Sequence, residues 1–357
     1  MESSNEMKYA PVIIPTLCRY EHLVRCVESL RRNKWAQYTD IYVGLDYPAA
    51  ESHWDGYRKI KEYLEGDFSE FHQFHVFVRE SNLGSSMNNY LLTEECKKKF
   101  DRYILSEDDL EFSPNFLQFM DLALMKYEED PDVIAISGFS YPIPWVANEN
   151  CTVAKQNFNA SSWGRGFWFS KRDLLRKYLS NNGLSKDFSA AYKNKKLEKM
   201  IDFAVKDYVS LCESGWSGKG GFLNRTTDIA LRINLAVNDQ YVVMPLLSKV
   251  RNHGYDGTGL YCQRIEGNET GDFCVDNYAF SQQPIDESDT FELIEDTNFD
   301  LKVNRDLLNT FDRVSSEEMK AVWEKAEKLA KLGKHGGAFL AGKKVLKIAA
   351  RKIGVER

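Results

Sequence analysis

Apolar and polar positions alternate in short blocks through the first half of the chain. Tyr9–Pro15 (YAPVIIP) is a brief apolar run closed by a proline, which reads as a buried strand. Leu23, Cys26, Val27 and Leu30 then fall at i, i+3, i+4 and i+7, one face of a helix. Ile41–Asp46 and Phe74–Arg79 read as the second and third strands. Asn82-Leu83-Gly84 turns the chain into a helix reaching about Lys98, and Arg102–Ser106 is a fourth strand. Ser113-Pro114 signals a helix start, with Ser as N-cap and Pro in the first turn. Phe116, Met120, Ala123, Leu124 and Tyr127 follow at helical spacing, and Val133–Ser137 is a fifth strand. Strands alternating with helices predict an α/β fold around a mostly parallel sheet.

Past Gly138 the pattern becomes irregular and aromatic. Helices are predicted at about Lys171–Ser180, Lys195–Cys212 and Thr227–Val237, and strand-like stretches at Tyr241–Met244 and Ser248–Arg251. Cys262–Thr297 has no clear period. Ser315-Ser316-Glu317-Glu318 is a capping box opening a helix whose Met319, Val322, Ala326 and Leu329 share a face. Gly333, Gly336 and Gly337 interrupt it, and a basic helix is predicted from Ala338. The expected division is a main domain over 1–285 and an extension of helices over 286–357.

Composition sharpens this only where it is uneven. With 357 residues, 43% hydrophobic and 13% aromatic, the chain can bury a sizeable core, which excludes wholesale disorder. A net charge of -6 argues against a nucleic-acid binder. That figure is an average of two unlike parts. Residues 329–357 carry eight Lys and Arg against the single acid Glu356, a net +7, so the remainder carries −13. Phe339, Leu340, Val345, Leu346, Ile348 and Ile353 are interleaved with these bases. The pattern suits an amphipathic helix on an anionic membrane, and equally a helix packed on its own domain. Seven scattered cysteines without a CxxC pair argue against a disulfide framework and a zinc site. No basic leader with a long apolar stretch opens the sequence, and no apolar run approaches the roughly 20 residues that span a bilayer. The expected location is the cytoplasm, peripheral on the inner membrane face if the tail binds lipid.

Candidate chemistry concentrates at Glu107-Asp108-Asp109, directly after the fourth strand. Three acids in a row arise readily by chance, and Glu128-Glu129-Asp130 is a second such triplet at a helix end. Position separates the two. In open α/β sheets ligands bind beyond the carboxyl ends of the strands. Acids gathered there repel unless a cation or donor compensates. Hard divalent cations bind through one or two carboxylates together with phosphate oxygens. A strand-end acid pair can therefore hold Mg2+ or Mn2+ against a diphosphate, and a solvated loop is the competing reading.

Glu107-Asp108-Asp109-Leu110-Glu111, before Ser113-Pro114-Asn115-Phe116, resembles the acid motif of GT-A glycosyltransferases, those of the N-acetylglucosaminyltransferase I type and of bacterial surface-polysaccharide synthesis in particular. The likeness runs in order through roughly residues 10–260. It implies a Rossmann-like GT-A fold and transfer of a sugar from a UDP-sugar, with Mn2+ or Mg2+ as cofactor. The acceptor it implies is a saccharide or a lipid-linked glycan. It implies Asp109 as metal ligand, Asp108 on the ribose or sugar and Glu107 on the donor sugar. Thr16 and Arg19 would border the nucleotide, Asp46 would meet the base, and Asn82 and Gly84 would lie in the loop beside the donor. Ser162–Trp168, with Trp163 and Gly164, resembles the segment that walls the donor sugar, although Trp168 is as readily a core residue. Asp228, opening a helix, occupies the place of the catalytic base, with Glu213 the weaker candidate. An inverting transfer needs such a carboxylate to take the acceptor proton. His253, in Asn252-His253-Gly254-Tyr255-Asp256, is a possible further metal ligand or an ordinary loop residue.

Two rival readings remain. A sugar nucleotidyltransferase would share the architecture, but calls for a glycine-rich loop after the first strand, where this chain has Pro15-Thr16-Leu17-Cys18-Arg19. A non-catalytic glycan-binding protein would not need the acid motif.

Overall fold

The computed structural model describes residues 7–182, 189–191, 193–196, 199–202, 204–206, 209, 228–259, 278–311 and 316–332. Its centre is a mixed, mostly parallel sheet flanked by helices, a Rossmann-like arrangement of the GT-A kind, with a helical extension at the C-terminal end. Strands β1 (Val12–Thr16), β2 (Asp40–Leu45), β3 (Gln73–Val78) and β4 (Arg102–Leu105) form its parallel part. β1 lies between β2 and β4, pairing Ile13 with Tyr42 and with Leu105. The first strands lie close to their predicted positions because each is a short apolar run whose residues are buried on both faces. β3 is the exception: it forms one edge of the sheet and is half exposed.

Helices α1 (Tyr20–Arg31), α2 (Trp54–Tyr63) and α3 (Gly84–Lys97) connect these strands. Leu23, Cys26, Val27 and Leu30 of α1 are fully buried, as their spacing predicts. β5 (Leu110–Phe112) follows the acid triplet, and α4 (Phe116–Lys126) comes next. α4 begins at Phe116, with Asn115 rather than Ser113 in the cap position. The Ser113 hydroxyl donates to Asn115 Oδ1 at 3.0 Å, so it caps no helix N–H. The Asn115 side chain is itself tied to Lys249 and Asp286, and this tertiary network overrides the local capping signal.

β6 (Val133–Ser137), β7 (Val153–Gln156), β8 (Arg165–Trp168), β9 (Tyr241–Pro245) and β11 (Glu295–Asp296) complete a nine-stranded sheet in the order β11-β7-β9-β6-β8-β4-β1-β2-β3. β8 runs antiparallel between β4 and β6, with Gly166 facing both Ile104 and Ile136. Trp168 ends β8 in the core, 2% exposed, its indole N–H donating to the Leu124 carbonyl. β10 (Val250–Asn252) pairs antiparallel with β5 in a separate ribbon. A short α7 (Tyr278–Gln282) follows.

Two compact units emerge. The first comprises residues 1–155, 161–171 and 242–299; the second comprises 156–160, 172–241 and 300–357. The second gathers most of α5 (Phe169–Asn182) with α6 (Asp228–Asn238), α8 (Leu301–Phe311) and α9 (Ser316–Leu332). Ile201, Leu231, Leu235, Leu308, Met319 and Ala326 are buried within it. No described helix is long and apolar enough to cross a membrane. Glu213, Ser315 and the basic tail lie outside the described residues.

Candidate active site

The carboxyl ends of β1 and β4 bring Thr16, Arg19, Asp108 and Asp109 together. Thr16 is the last residue of β1, and its hydroxyl donates to Asp108 Oδ2 at 2.9 Å. Arg19 enters from the turn before α1. One of its amino groups donates to Asp108 Oδ1, and the other meets Asp109 Oδ2 at 2.9 Å. Both carboxylates are nearly out of solvent, 5% and 7% exposed. One guanidinium therefore serves two buried anions, leaving the cluster a charge short of neutral. Burial and the adjacent Asp108 push the Asp109 carboxyl above its ordinary range, against the pull of Arg19. Burial alone would lower the Arg19 pKa; the two carboxylates reverse that and raise it.

Asp109 Oδ1 is buried and has no hydrogen-bond partner. A buried carboxylate oxygen left unpaired is costly, and a positive ligand would relieve it. Among the described residues no group of three or more His, Cys, Asp and Glu is arranged to hold a metal. A hard divalent cation here would therefore take one carboxylate and draw its other ligands from a diphosphate and water, a habitual mode for Mg2+. The orphaned oxygen fits that role.

The turn that follows β10 closes on Asp109. The His253 N–H donates to the Asp109 carbonyl at 2.9 Å. Gly254 follows so closely that a Cβ there would sit 2.1 Å from Asp109 Oδ2, so only glycine leaves the carboxylate its place. The same loop is tied to α1 through Asp256, whose Oδ2 lies 2.9 Å from His22 Nε2. The His253 ring turns away to Glu111, Nε2 to Oε2 at 2.8 Å, and this contact holds the Glu111 carboxyl below its ordinary range. Nothing in the sequence near His22 or Asp256 announces their pairing, because they are far apart along the chain.

Glu107 accepts a hydrogen bond from the Ser162 hydroxyl at 2.7 Å, which joins the first acid of the triplet to the segment before β8. Next to Ser162, the half-buried Trp163 packs edge-on against Phe139, Tyr255 and Phe280. Gly164 is left-handed (φ 62°) and its carbonyl accepts from the Gly138 N–H at 2.8 Å. A Cβ there would lie 2.9 Å from the Phe116 ring. Asp46 is buried and occupied: Oδ1 accepts from the N–H of Tyr47 and Leu83, and Oδ2 from the Gly84 N–H at 2.8 Å. It caps the start of α3, where Gly84 is left-handed (φ 74°). The Asn82 amide donates to the Tyr47 carbonyl at 2.6 Å, fixing the same turn. Asp228 is the first residue of α6, in the second unit.

The second acid triplet has a different occupation. Glu128 pairs with the fully buried Arg102 at 2.8 Å, and Asp130 with Lys155 at 2.7 Å. Those acids hold the fold together by ion pairs.

No family model matches the chain, and no curated protein matches it. Among solved structures, the mannosyltransferase PcManGT from Pyrobaculum calidifontis, in complex with GDP-Man and Mn2+, is similar at 13% identity with a TM-score of 0.33, over 49% of this chain and 47% of that one. S. aureus TarS 1-349 is similar at 12% identity and TM-score 0.34, over 48% and 50%. The same protein in complex with UDP-GlcNAc gives 15% identity and 0.29, over 40% and 41%. The chain thus spans about half the length of these proteins or less. Likenesses this partial leave the functional reading to the chain's own residues.

Proposed function

We propose that the chain is a metal-dependent glycosyltransferase that moves a sugar from a UDP-sugar to a saccharide acceptor by an inverting route. The carrying observation is the convergence of Thr16, Arg19, Asp108 and Asp109 at the carboxyl ends of β1 and β4, with one buried carboxylate oxygen unpaired. In this reading Asp109 would hold Mn2+ or Mg2+, which would supply positive charge against the diphosphate leaving group. Arg19 shifts part of its hold from the carboxylates to phosphate, for which a guanidinium fork is well shaped. Asp108, fixed by the Thr16 hydroxyl, orients the ribose, and Glu107 with Trp163 and Gly164 borders the sugar. Sugar C–H faces pack on aromatic rings such as Trp163. Asp46, Asn82 and Gly84 form the turn beside the nucleotide, and His253 is a reserve ligand that must first leave Glu111. Asp228 takes the acceptor hydroxyl proton. The catalytic domain in this reading covers 1–285.

Thermal-shift measurements with UDP- and GDP-sugars, with and without Mn2+, test it. A ligand at a hundred times its Kd stabilises by about 2.7 kcal/mol, enough to read. A UDP-sugar with Mn2+ is expected to raise Tm, and Asp109→Ala to remove the metal-dependent part. Asp228→Ala is expected to keep donor binding and lose turnover. The absence of both UDP binding and UDP-sugar hydrolysis in the presence of Mn2+ would sink the proposal; full turnover in Asp228→Ala would sink the choice of base.

A further inference from the structure

A concavity opens at the other end of the parallel strands, where β1, β2, β3 and β4 begin. Its volume is about 570 Å³, within the range of small-molecule sites. Its lining comes from the segments that lead into those strands, so the acid cluster, which follows β1 and β4, lies at the opposite edge of the sheet. Tyr9 and Tyr38 line it as a stacked pair, ring centroids 4.7 Å apart and planes 20° from parallel. Tyr38 is 44% exposed, and Phe100 adds a third ring. Among these rings stand polar groups of both signs. Asp40 is buried, with Oδ1 2.6 Å from His72 Nδ1. Asp101 accepts from Arg102 at 2.7 Å and from Lys8 at 3.0 Å. Burial opposes its ionisation, but these hydrogen bonds prevail and hold its pKa at about 2. Lys99 has no acid partner among the described residues.

These partners restrict what can bind. A cationic ligand gains little, because Asp101 already faces two bases and Asp40 faces His72. An anion would meet Lys99, but would lie beside two carboxylates. A wholly apolar ligand would strip water from the exposed charged side chains Lys8, Lys99 and Asp101 without replacing its hydrogen bonds. A neutral polyhydroxylated ring suits every wall. Its C–H face lies on the tyrosines, its hydroxyls donate to the carboxylate oxygens, and they accept from the Lys99 ammonium. We infer that this cavity is a binding site for a neutral saccharide, separate from the acid cluster. The inference stands on the cavity alone and survives if the transferase reading fails.

Calorimetric titration of the full chain tests it, with chitotetraose, cellotetraose and maltotetraose as neutral probes and pyrophosphate and choline as charged ones. At least one tetrasaccharide is expected to saturate. Tyr38→Ala should weaken its binding by about tenfold, near the upper end of what one ring contact supplies, while Tyr38→Phe keeps most of it. Lys99→Ala, at an exposed position that the fold does not use, should weaken it several-fold. Asp109→Ala should bind the tetrasaccharide as the unaltered chain does, whether or not it binds UDP. The inference is overturned if no tetrasaccharide binds, if binding ignores both Tyr38→Ala and Lys99→Ala, or if pyrophosphate or choline binds in a Tyr38-sensitive way instead.

Discussion

Asp109 and Asp121 are both buried acids with one unpaired oxygen, yet their surroundings give them opposite uses. Asp121 lies inside α4, where Oδ1 accepts the Ala10 N–H at 2.8 Å. Burial raises its pKa to about 8, and no charged group reaches its carboxyl by hydrogen bond or ion pair among the described residues. It is a neutral acid that anchors the chain entering β1. Asp109 shares a guanidinium with a second carboxylate beside a strand end, so its unpaired oxygen sits in a field that favours a cation. An orphaned oxygen alone thus does not define a site; the neighbouring charges do. The contrast yields a prediction. A folded pKa raised from 3.8 to about 8 means that the unfolded chain releases its proton first. Stability from Asp121 is then complete below about pH 4 and falls as pH rises to about 8. Asp121→Asn keeps an oxygen for Ala10 and removes this slope. Its stability relative to the unaltered chain should rise from acid pH towards pH 8 and level off there, a change on the order of several kcal/mol read by denaturant unfolding at each pH. A gap that does not change with pH would show that the carboxyl is not neutral in the fold.

At the scale of elements, α2 shows what a sequence leaves unsaid. Its interior glycine, Gly56, lies against the loop after β1: a Cβ there would stand 1.8 Å from the Cys18 carbonyl oxygen. On helix propensity alone Gly56→Ala should stabilise by about 1 kcal/mol. The contact is with backbone, which cannot rotate aside, and overpacking of this kind costs about 1–3 kcal/mol. The clash should win, so Gly56→Ala is expected to lower Tm. It should also weaken UDP binding, because Cys18 carries Arg19 with it; unchanged Tm and unchanged UDP affinity would refute this coupling. β1, β2, β3, β4, β6 and α1 were legible because their apolar residues are continuous or periodic. α2 was not, because it buries only Tyr57 and Ile60. β5, β7 and β8 were not, because three or four residues cannot establish a period of two. At the acid motif, Thr16, Arg19, Asp108 and Asp109 were each singled out through the resemblance, but the hydrogen bonds that join them to one another were not foreseen. The capping duty of Asp46, the Gly254 approach and the His22–Asp256 tie depend on tertiary contact and leave no local mark.

On the scale of the whole molecule the charge is divided. Residues 1–328 bear −13 and residues 329–357 bear +7. Within the described part, some acids are spent on internal pairs, as with Glu128 on Arg102 and Asp286 on Lys249. Pairs that the exposed acids of its own chain offer a basic tail are worth little. An anionic lipid surface offers the tail more. Each base near such a surface contributes about 1 kcal/mol at physiological ionic strength, and the interleaved apolar residues add burial at the interface. We therefore expect the full chain to sediment with vesicles rich in phosphatidylglycerol, and binding to fall steeply as salt shortens the Debye length. Deleting residues 338–357 removes Lys343, Lys344, Lys347, Arg351, Lys352 and Arg357 together with the apolar residues between them. Vesicle binding should then drop by more than about tenfold, since even two lost contacts of this size exceed that factor. Affinity for UDP should stay as it was, because the acid cluster is built from β1, β4 and the β5–β10 ribbon. Equal vesicle binding by the shortened chain would show that the basic residues face the protein. A loss of UDP binding on the same deletion would show that the tail belongs to the donor site, and that the two charge regions work as one.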